Sequence, residues 1–276
     1  MSLATAVITV VSGRHHHLVQ QHAGVARSTV QPDSYLVVSM GDDWVDRWSA
    51  THPAPRVVHQ PVVGRRLPVA EARNRGAAAA IADGAELLVF LDVDCIPAPH
   101  LLERYRAAAE SHPGTLLSAA VGYLPAGASP TDTDRFDELA HFHPFRPRPA
   151  DGEVTFGHPD LFWSLSFAVT ANTWQRIGGF HEHYRGYGGE DTDFALLAKK
   201  AGIDLGWVGG ATAYHQYHPT SSPPVQHLDD ILSNGALFAR RWGFWPMQGW
   251  LDAFERRGLV ARNTDTGSYH RTGSTL

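Results

Sequence analysis

Three continuous apolar runs, each ending in glycine or acid, constrain the fold most. Residues 6–11 (Ala-Val-Ile-Thr-Val-Val) close on Ser12-Gly13. Residues 35–39 lead to Met40-Gly41-Asp42-Asp43, and residues 86–91 run straight into Asp92-Val93-Asp94. Unalternated β-branched runs of this kind are parallel strands buried on both faces. Residues 16–28 fit a crossover helix between the first two, and 56–59 a short third strand. The alanine-rich, proline-free stretch 69–82 predicts a helix that stops at Gly84. A further helix is expected over 100–110, strands at 116–121 and 166–170, and a helical turn over 171–177. Residues 191–201 predict a helix ending at Gly202. Strands are expected at 203–208 and 211–217, broken by Gly209-Gly210, and a last helix at 229–242. The βαβαβα order gives an α/β fold with a mostly parallel central sheet flanked by helices. In such sheets ligands sit beyond the carboxyl ends of the strands. Asp42, Asp43, Asp92 and Asp94 all fall there.

Composition narrows the class. The chain has 276 residues, 43% hydrophobic and 18% charged, enough for a well-buried core. A net charge of -5 argues against a general nucleic-acid binder. The single cysteine, Cys95, excludes an intramolecular disulfide and a cysteine-only zinc cluster, and fits a reducing compartment. No apolar run reaches membrane-spanning length. The expected location is cytoplasmic, with peripheral contact at the inner face of the membrane left open. Residues 122–160 are proline-rich and poor in aliphatics, the character of a lid or acceptor-binding connection. Residues 1–225 are expected as a catalytic domain with a nucleotide-binding half (1–121) and an acceptor-binding half (122–225). A helical extension (226–262) and a frayed polar tail (263–276) complete the chain.

Two acidic groups carry the chemistry. Asp92 and Asp94, at a strand end, offer the oxygen ligands that Mg²⁺ or Mn²⁺ takes, and a metal there would offset a diphosphate leaving group. Glu190-Asp191 comes after Gly186, Gly188 and Gly189, whose backbone freedom brings the acids close to a ligand. These acids also suit the capping of the helix they open. An acid so placed is expected to titrate low. Seventeen histidines make any one of them weak evidence. His215 and His218 stand out because they lie just after a strand and imidazole suits Mn²⁺. His15-His16-His17 read as a solvated helix start, and His141 and His143 as surface groups. Trp163 is a candidate for stacking on an acceptor ring.

In combination these motifs resemble the GT-A glycosyltransferases, above all the family 2 enzymes and the galactosyltransferase-type C-terminal module. The matching stretches are Ala72-Arg73-Asn74-Arg75-Gly76, Phe90-Leu91-Asp92-Val93-Asp94-Cys95-Ile96-Pro97, and Ile177-Gly178-Gly179-Phe180 through Gly188-Gly189-Glu190-Asp191-Thr192-Asp193-Phe194. His181-Glu182 stands where the family often has an acid directly after Gly-Gly-Phe. The resemblance covers residues 6–218 and implies roles. Asp94 is the metal ligand of a DXD motif and Asp92 lies nearer the donor ribose or sugar. His215 or His218 completes the metal site. Asp42 or Asp43 reads the nucleotide base, flanked by Ser12, Gly13 and Arg14. Arg73 and Asn74 line the diphosphate. Asp191 is the base, and Glu190 binds an acceptor hydroxyl beside Gly189. The implied reaction is inverting hexosyl transfer from a nucleotide-diphospho-sugar, UDP-linked first, to a carbohydrate, lipid-linked or small-molecule acceptor. The rivals are a nucleotidyltransferase and a silent carbohydrate-binding relative. The first lacks its glycine-rich lysine loop here, and the intact acids count against the second.

Overall fold

The structure is a computed structural model and describes residues 2–129 and 133–273. The chain opens with β1 (Thr5–Val11), α1 (His15–Ala26), β2 (Ser34–Met40), α2 (Asp43–Arg47), β3 (Pro55–Gln60) and α3 (Val69–Ala82). It continues through β4 (Leu87–Leu91), β5 (Cys95–Pro97), α4 (Leu101–Ser111) and β6 (Leu116–Tyr123). Then come α5 (Phe136–Leu139), β7 (His141–Phe142), β8 (Val154–Gly157), β9 (Ser166–Thr170), α6 (Ala171–Ile177), α7 (Glu190–Lys200) and β10 (Leu205–His215). The chain finishes with α8 (Leu228–Trp242), α9 (Gln248–Arg256), β11 (Val260–Arg262) and β12 (Tyr269–Arg271).

Ten strands form the main sheet in the order β3-β2-β1-β4-β9-β6-β10-β5, with β7 beside β6 and β8 beside β10, and β11 and β12 form a separate pair. Strands β3, β2, β1 and β4 run parallel. The antiparallel β9 separates them from β6 and β10, which run parallel to each other and in the same sense as β1. The mostly parallel sheet expected from the apolar runs is what forms, and its long strands end on one edge.

Side-chain alternation explains why both faces are apolar. Ile8, Leu36, Val38, Leu88 and Phe90 face a core completed by α3, α6 and α7. Val7, Val37, Leu87, Val89 and Leu91 face the other way, onto α1 and α4. Each β1 residue is buried, and burial of one large aliphatic contributes about 1.5–3 kcal/mol.

Two expectations change. The two strands read at 203–208 and 211–217 are one strand, β10, whose register with β6 shifts between Trp207 and Thr212. The glycines that look like a break are a bulge: a Cβ on Gly209 would meet the Ala150 carbonyl oxygen at 1.8 Å. The tail read as frayed holds β12, which pairs with β11. Tyr269 is buried in the C-terminal cluster and Arg271 pairs with Asp229 at 2.8 Å, which is what a polar composition conceals. The 122–160 connection is anchored by β7, β8 and the buried Phe136.

Candidate active site

The acids gather because parallel strands end together. β4 stops at Leu91, and Gln21 fixes the backbone just beyond it. This buried amide donates to the Leu91 and Asp92 carbonyls at 3.2 and 2.7 Å and accepts from Thr9 and Tyr35. The chain then turns back as β5, antiparallel to β10, setting Cys95 opposite His215. The Gln216 amide donates to the Asp94 carbonyl at 2.7 Å, a second backbone tie.

Asp94, His215 and His218 thereby converge, with one ligand atom from each lying within 4.8 Å of the others. The imidazole Nε2 atoms lie 3.6 and 3.5 Å from Asp94 Oδ2. Arg14 reaches the same oxygen at 2.6 Å. It does so from a left-handed backbone (φ 52°) just after Gly13 (φ 63°), a conformation that costs a non-glycine residue about 1–2 kcal/mol. Burial pushes the Asp94 carboxyl up, but the His218 ring, His215 and Arg14 outweigh it, and the group is held down at about 2. Burial lowers the pKa of His215. One carboxylate with two imidazole nitrogens is a donor set that fits Mn²⁺ and is compatible with Mg²⁺.

Asp92 stands apart from this trio. Its Oδ1 accepts from Arg73 at 2.9 Å, and burial raises its carboxyl to about 6 against the pull of that guanidinium. Arg73, only 4% exposed, also faces Glu190 Oε1 at 3.5 Å. It therefore bridges the two acidic groups. Asn74 pins the Gly-Gly-Phe turn: its Oδ1 accepts from the Phe180 amide, and its Nδ2 donates to the Phe180 carbonyl and to Glu182.

Glu190 and Asp191 open α7, with Gly189 (φ 91°) at its N-cap. The expected low titration is overturned. Burial, then the charge of Asp191, raises Glu190 to about 7, and burial raises Asp191 as well. Desolvation outweighs the helix end here. Glu190 Oε2 is buried with no hydrogen-bond partner among the described residues. Asp191 Oδ1 accepts from the Thr192 amide at 2.7 Å.

Among the remaining candidates, Asp42 caps α2 and accepts from the Gly13 amide at 2.6 Å and from His15 at 2.8 Å, so its carboxylate is committed. Asp43 is exposed beside it, and Ser12 is half-buried at the end of β1. Trp163 does not present a bare ring. The Arg146 guanidinium lies 4.8 Å from it and 4.7 Å from Trp207, and His143 meets it edge-on at 4.8 Å. Sequence reasoning missed Arg146, which is buried although Phe145 and Pro147 give no pattern around it. It also missed Tyr187, stacked on His227 at 4.4 Å next to the acids. An aromatic between two glycines was the available signal for Tyr187.

The chain is similar to several known proteins. A family model described as the N-terminal domain of galactosyltransferase matches residues 158–219, the stretch holding Glu190, Asp191, His215 and His218. The solved structure of GalNAc-T7 with UDP, GalNAc and Mn²⁺ superposes with a TM-score of 0.63 at 17% identity, covering 92% of this chain and 50% of that one. The fold is that of the GT-A glycosyltransferases. Sequence relatives of this GT-A chain carry the same class of name. A validoxylamine A glucosyltransferase of Streptomyces hygroscopicus subsp. limoneus is 29% identical over 210 residues, 66% of this chain and 44% of that protein. Its counterpart from Streptomyces hygroscopicus subsp. jinggangensis (strain 5008) is 30% identical over 173 residues, 54% of this chain and 39% of the relative. The GT-A chain thus spans less than half the length of these curated relatives. Among its described residues no helix is long and apolar enough to cross a membrane.

Proposed function

We propose that this GT-A chain transfers a hexose from a nucleotide-diphospho-sugar to an acceptor hydroxyl, with a divalent metal and with inversion. The observation that carries the reading is the convergence of Asp94, His215 and His218, with Asp92, two positions from Asp94, bridged to Glu190 by Arg73. Asp94, His215 and His218 hold the ion, Mn²⁺ before Mg²⁺. When bound it neutralises the departing diphosphate. Ser12, Arg14 and the uncommitted Asp43 face the nucleotide, and the donor is UDP-linked.

Asp191 removes the acceptor proton. Its burial raises its basicity, which brings a carboxylate closer to the range useful for proton transfer near neutral pH. Glu190, with a free buried oxygen, accepts from a second acceptor hydroxyl. Arg73 keeps Asp92 and Glu190 from repelling one another and fixes both rotamers. Inversion through one displacement accords with the family 2 resemblance. The relatives' names make glucose the first sugar to try, on a carbohydrate, lipid-linked or small-molecule acceptor, in the cytoplasm.

The test is UDP release from UDP-glucose, UDP-galactose and UDP-GalNAc, with Mn²⁺, with Mg²⁺ and with chelator. Mn²⁺-dependent release from one of them is expected. Release that ignores the chelator removes the metal, and no release from any nucleotide-sugar removes the reaction.

A further inference from the structure

The turn that presents the acids has two ties to the strand-and-helix layers around it, the Gly186 amide on the Leu67 carbonyl at 2.9 Å and Arg185 on Glu71 at 2.8 Å, and more ties from beyond them. Gly186, Gly188 and Gly189 all have left-handed φ, of 73°, 92° and 91°. Glycines in such a turn lose much conformational freedom on ordering, so the turn needs outside support to stay single. Its carbonyls are also outside any helix or strand and need partners.

Helix α8 supplies them from 46 residues beyond Gly188. Asn234 is 2% exposed. Its Nδ2 donates to the carbonyls of Arg185, Tyr187 and Gly188 at 3.1, 3.2 and 2.9 Å, and its Oδ1 accepts from the Arg185 amide at 3.4 Å. Asp230, one turn earlier, accepts from the Tyr187 amide at 3.2 Å while pairing with Arg66 at 2.8 Å. Met247 closes against Gly188, where an added Cβ would lie 2.8 Å from its sulfur. On the far side of the acids, Asp193 accepts from Arg241 at 2.6 Å and from the Trp242 indole at 2.7 Å. Residues before and after Glu190-Asp191 are therefore both gripped by the same C-terminal helix.

We propose that α8 is a working part of the active site and that Asn234 is a positioning residue for the acid-bearing turn. The inference rests on the reading of Glu190 and Asp191 as the reacting acids. A purely structural role for Asn234 fits poorly. The extension has its own apolar cluster of Leu228, Ile231, Leu251, Phe254, Leu259, Val260 and Tyr269. A buried amide is not needed to hold that cluster together, yet every atom of this amide that bonds is turned to residues 185–188. Buried polar groups persist where their bonds are made, and these bonds are made to the turn.

The experiment compares Asn234→Ala, Asp230→Ala and Arg271→Ala in the full chain. Arg271→Ala weakens the extension through Asp229 without touching the turn, and serves as the control for stability. Hydrogen exchange over residues 185–192 is expected to quicken in the first two variants and to stay as in the parent chain in the third. In Mn²⁺-dependent transfer, kcat is expected to fall about ten- to a hundredfold for Asn234→Ala, because misplacing a reacting group by about 1 Å has effects of that order. UDP and Mn²⁺ affinity by calorimetry should stay within about twofold, since those ligands lie elsewhere. Unchanged exchange in both turn variants overturns the inference. So does a kcat loss no larger than that of Arg271→Ala at equal loss of Tm. If the parent chain transfers no sugar, the functional reading has failed, and the exchange data still decide whether α8 holds the turn.

Discussion

At the scale of single residues, charge and burial set the forecasts. Asp94 is the anionic member of the proposed metal trio, so Asp94→Ala should abolish Mn²⁺ binding measured by electron paramagnetic resonance. His215→Ala should only weaken it, because Asp94 and His218 remain; equal retention in both variants would remove the site. Asp191→Asn keeps size and capping ability but cannot take a proton. General-base catalysis contributes about a hundred- to ten-thousandfold, so kcat should fall in that range with donor affinity kept. Asn caps a helix nearly as well as Asp. A role limited to capping therefore forecasts turnover near that of the parent chain. Glu190 adds a stability test. Its folded-state carboxyl titrates at about 7, above the ordinary 4.5. Between those values the native state holds more protons than the unfolded chain, so this group's burial costs stability as pH rises from 4.5 towards 7. Glu190→Gln should raise Tm at about pH 8 and change it little at about pH 4.5. A Tm difference that is the same at both pH values would show that Glu190 is not the buried acid described.

Elements show where the sequence speaks and where it is silent. β1, β2 and β4 were legible because strands buried on both faces leave continuous apolar runs, and α3 because fourteen residues carry no proline. The acids at the strand ends and the two histidines were legible for the same reason: parallel strands bring their ends together whatever lies between. Arg73 was legible as a site residue but not as a bridge, since its partner Glu190 is 117 residues away. β7, β8 and β12 were not legible, being too short for periodicity. The anchors of the 122–160 segment were not legible because they are not aliphatic. Arg146 sits between the Trp163 and Trp207 rings, and Arg148 lies 3.5 Å over Phe142. Arg146→Ala should open a cavity between two indoles and speed exchange across residues 140–150. Arg146→Met refills that space without a charge to desolvate and should keep most of the protection. Identical exchange for Ala and the parent chain would mean that β7 and β8 alone hold the segment.

Over the whole molecule, the C-terminal extension and the sheet are joined by charge as much as by apolar contact. Asp193 is wholly buried and receives Arg241, Trp242 and Tyr184. Removing one partner of a buried pair leaves an uncompensated charge, so Arg241→Ala should cost roughly 2–4 kcal/mol in urea unfolding. A loss below about 0.5 kcal/mol would show that the two neutral donors suffice.

The Gly188 carbonyl waits for a donor made 46 positions later. Ribosomes add roughly 5–20 residues per second, and domains fold as they emerge. Asn234 therefore emerges roughly 2–9 seconds after Gly188. A nascent chain thus carries Glu190 and Asp191 before the side chain that ties down the turn ahead of them exists.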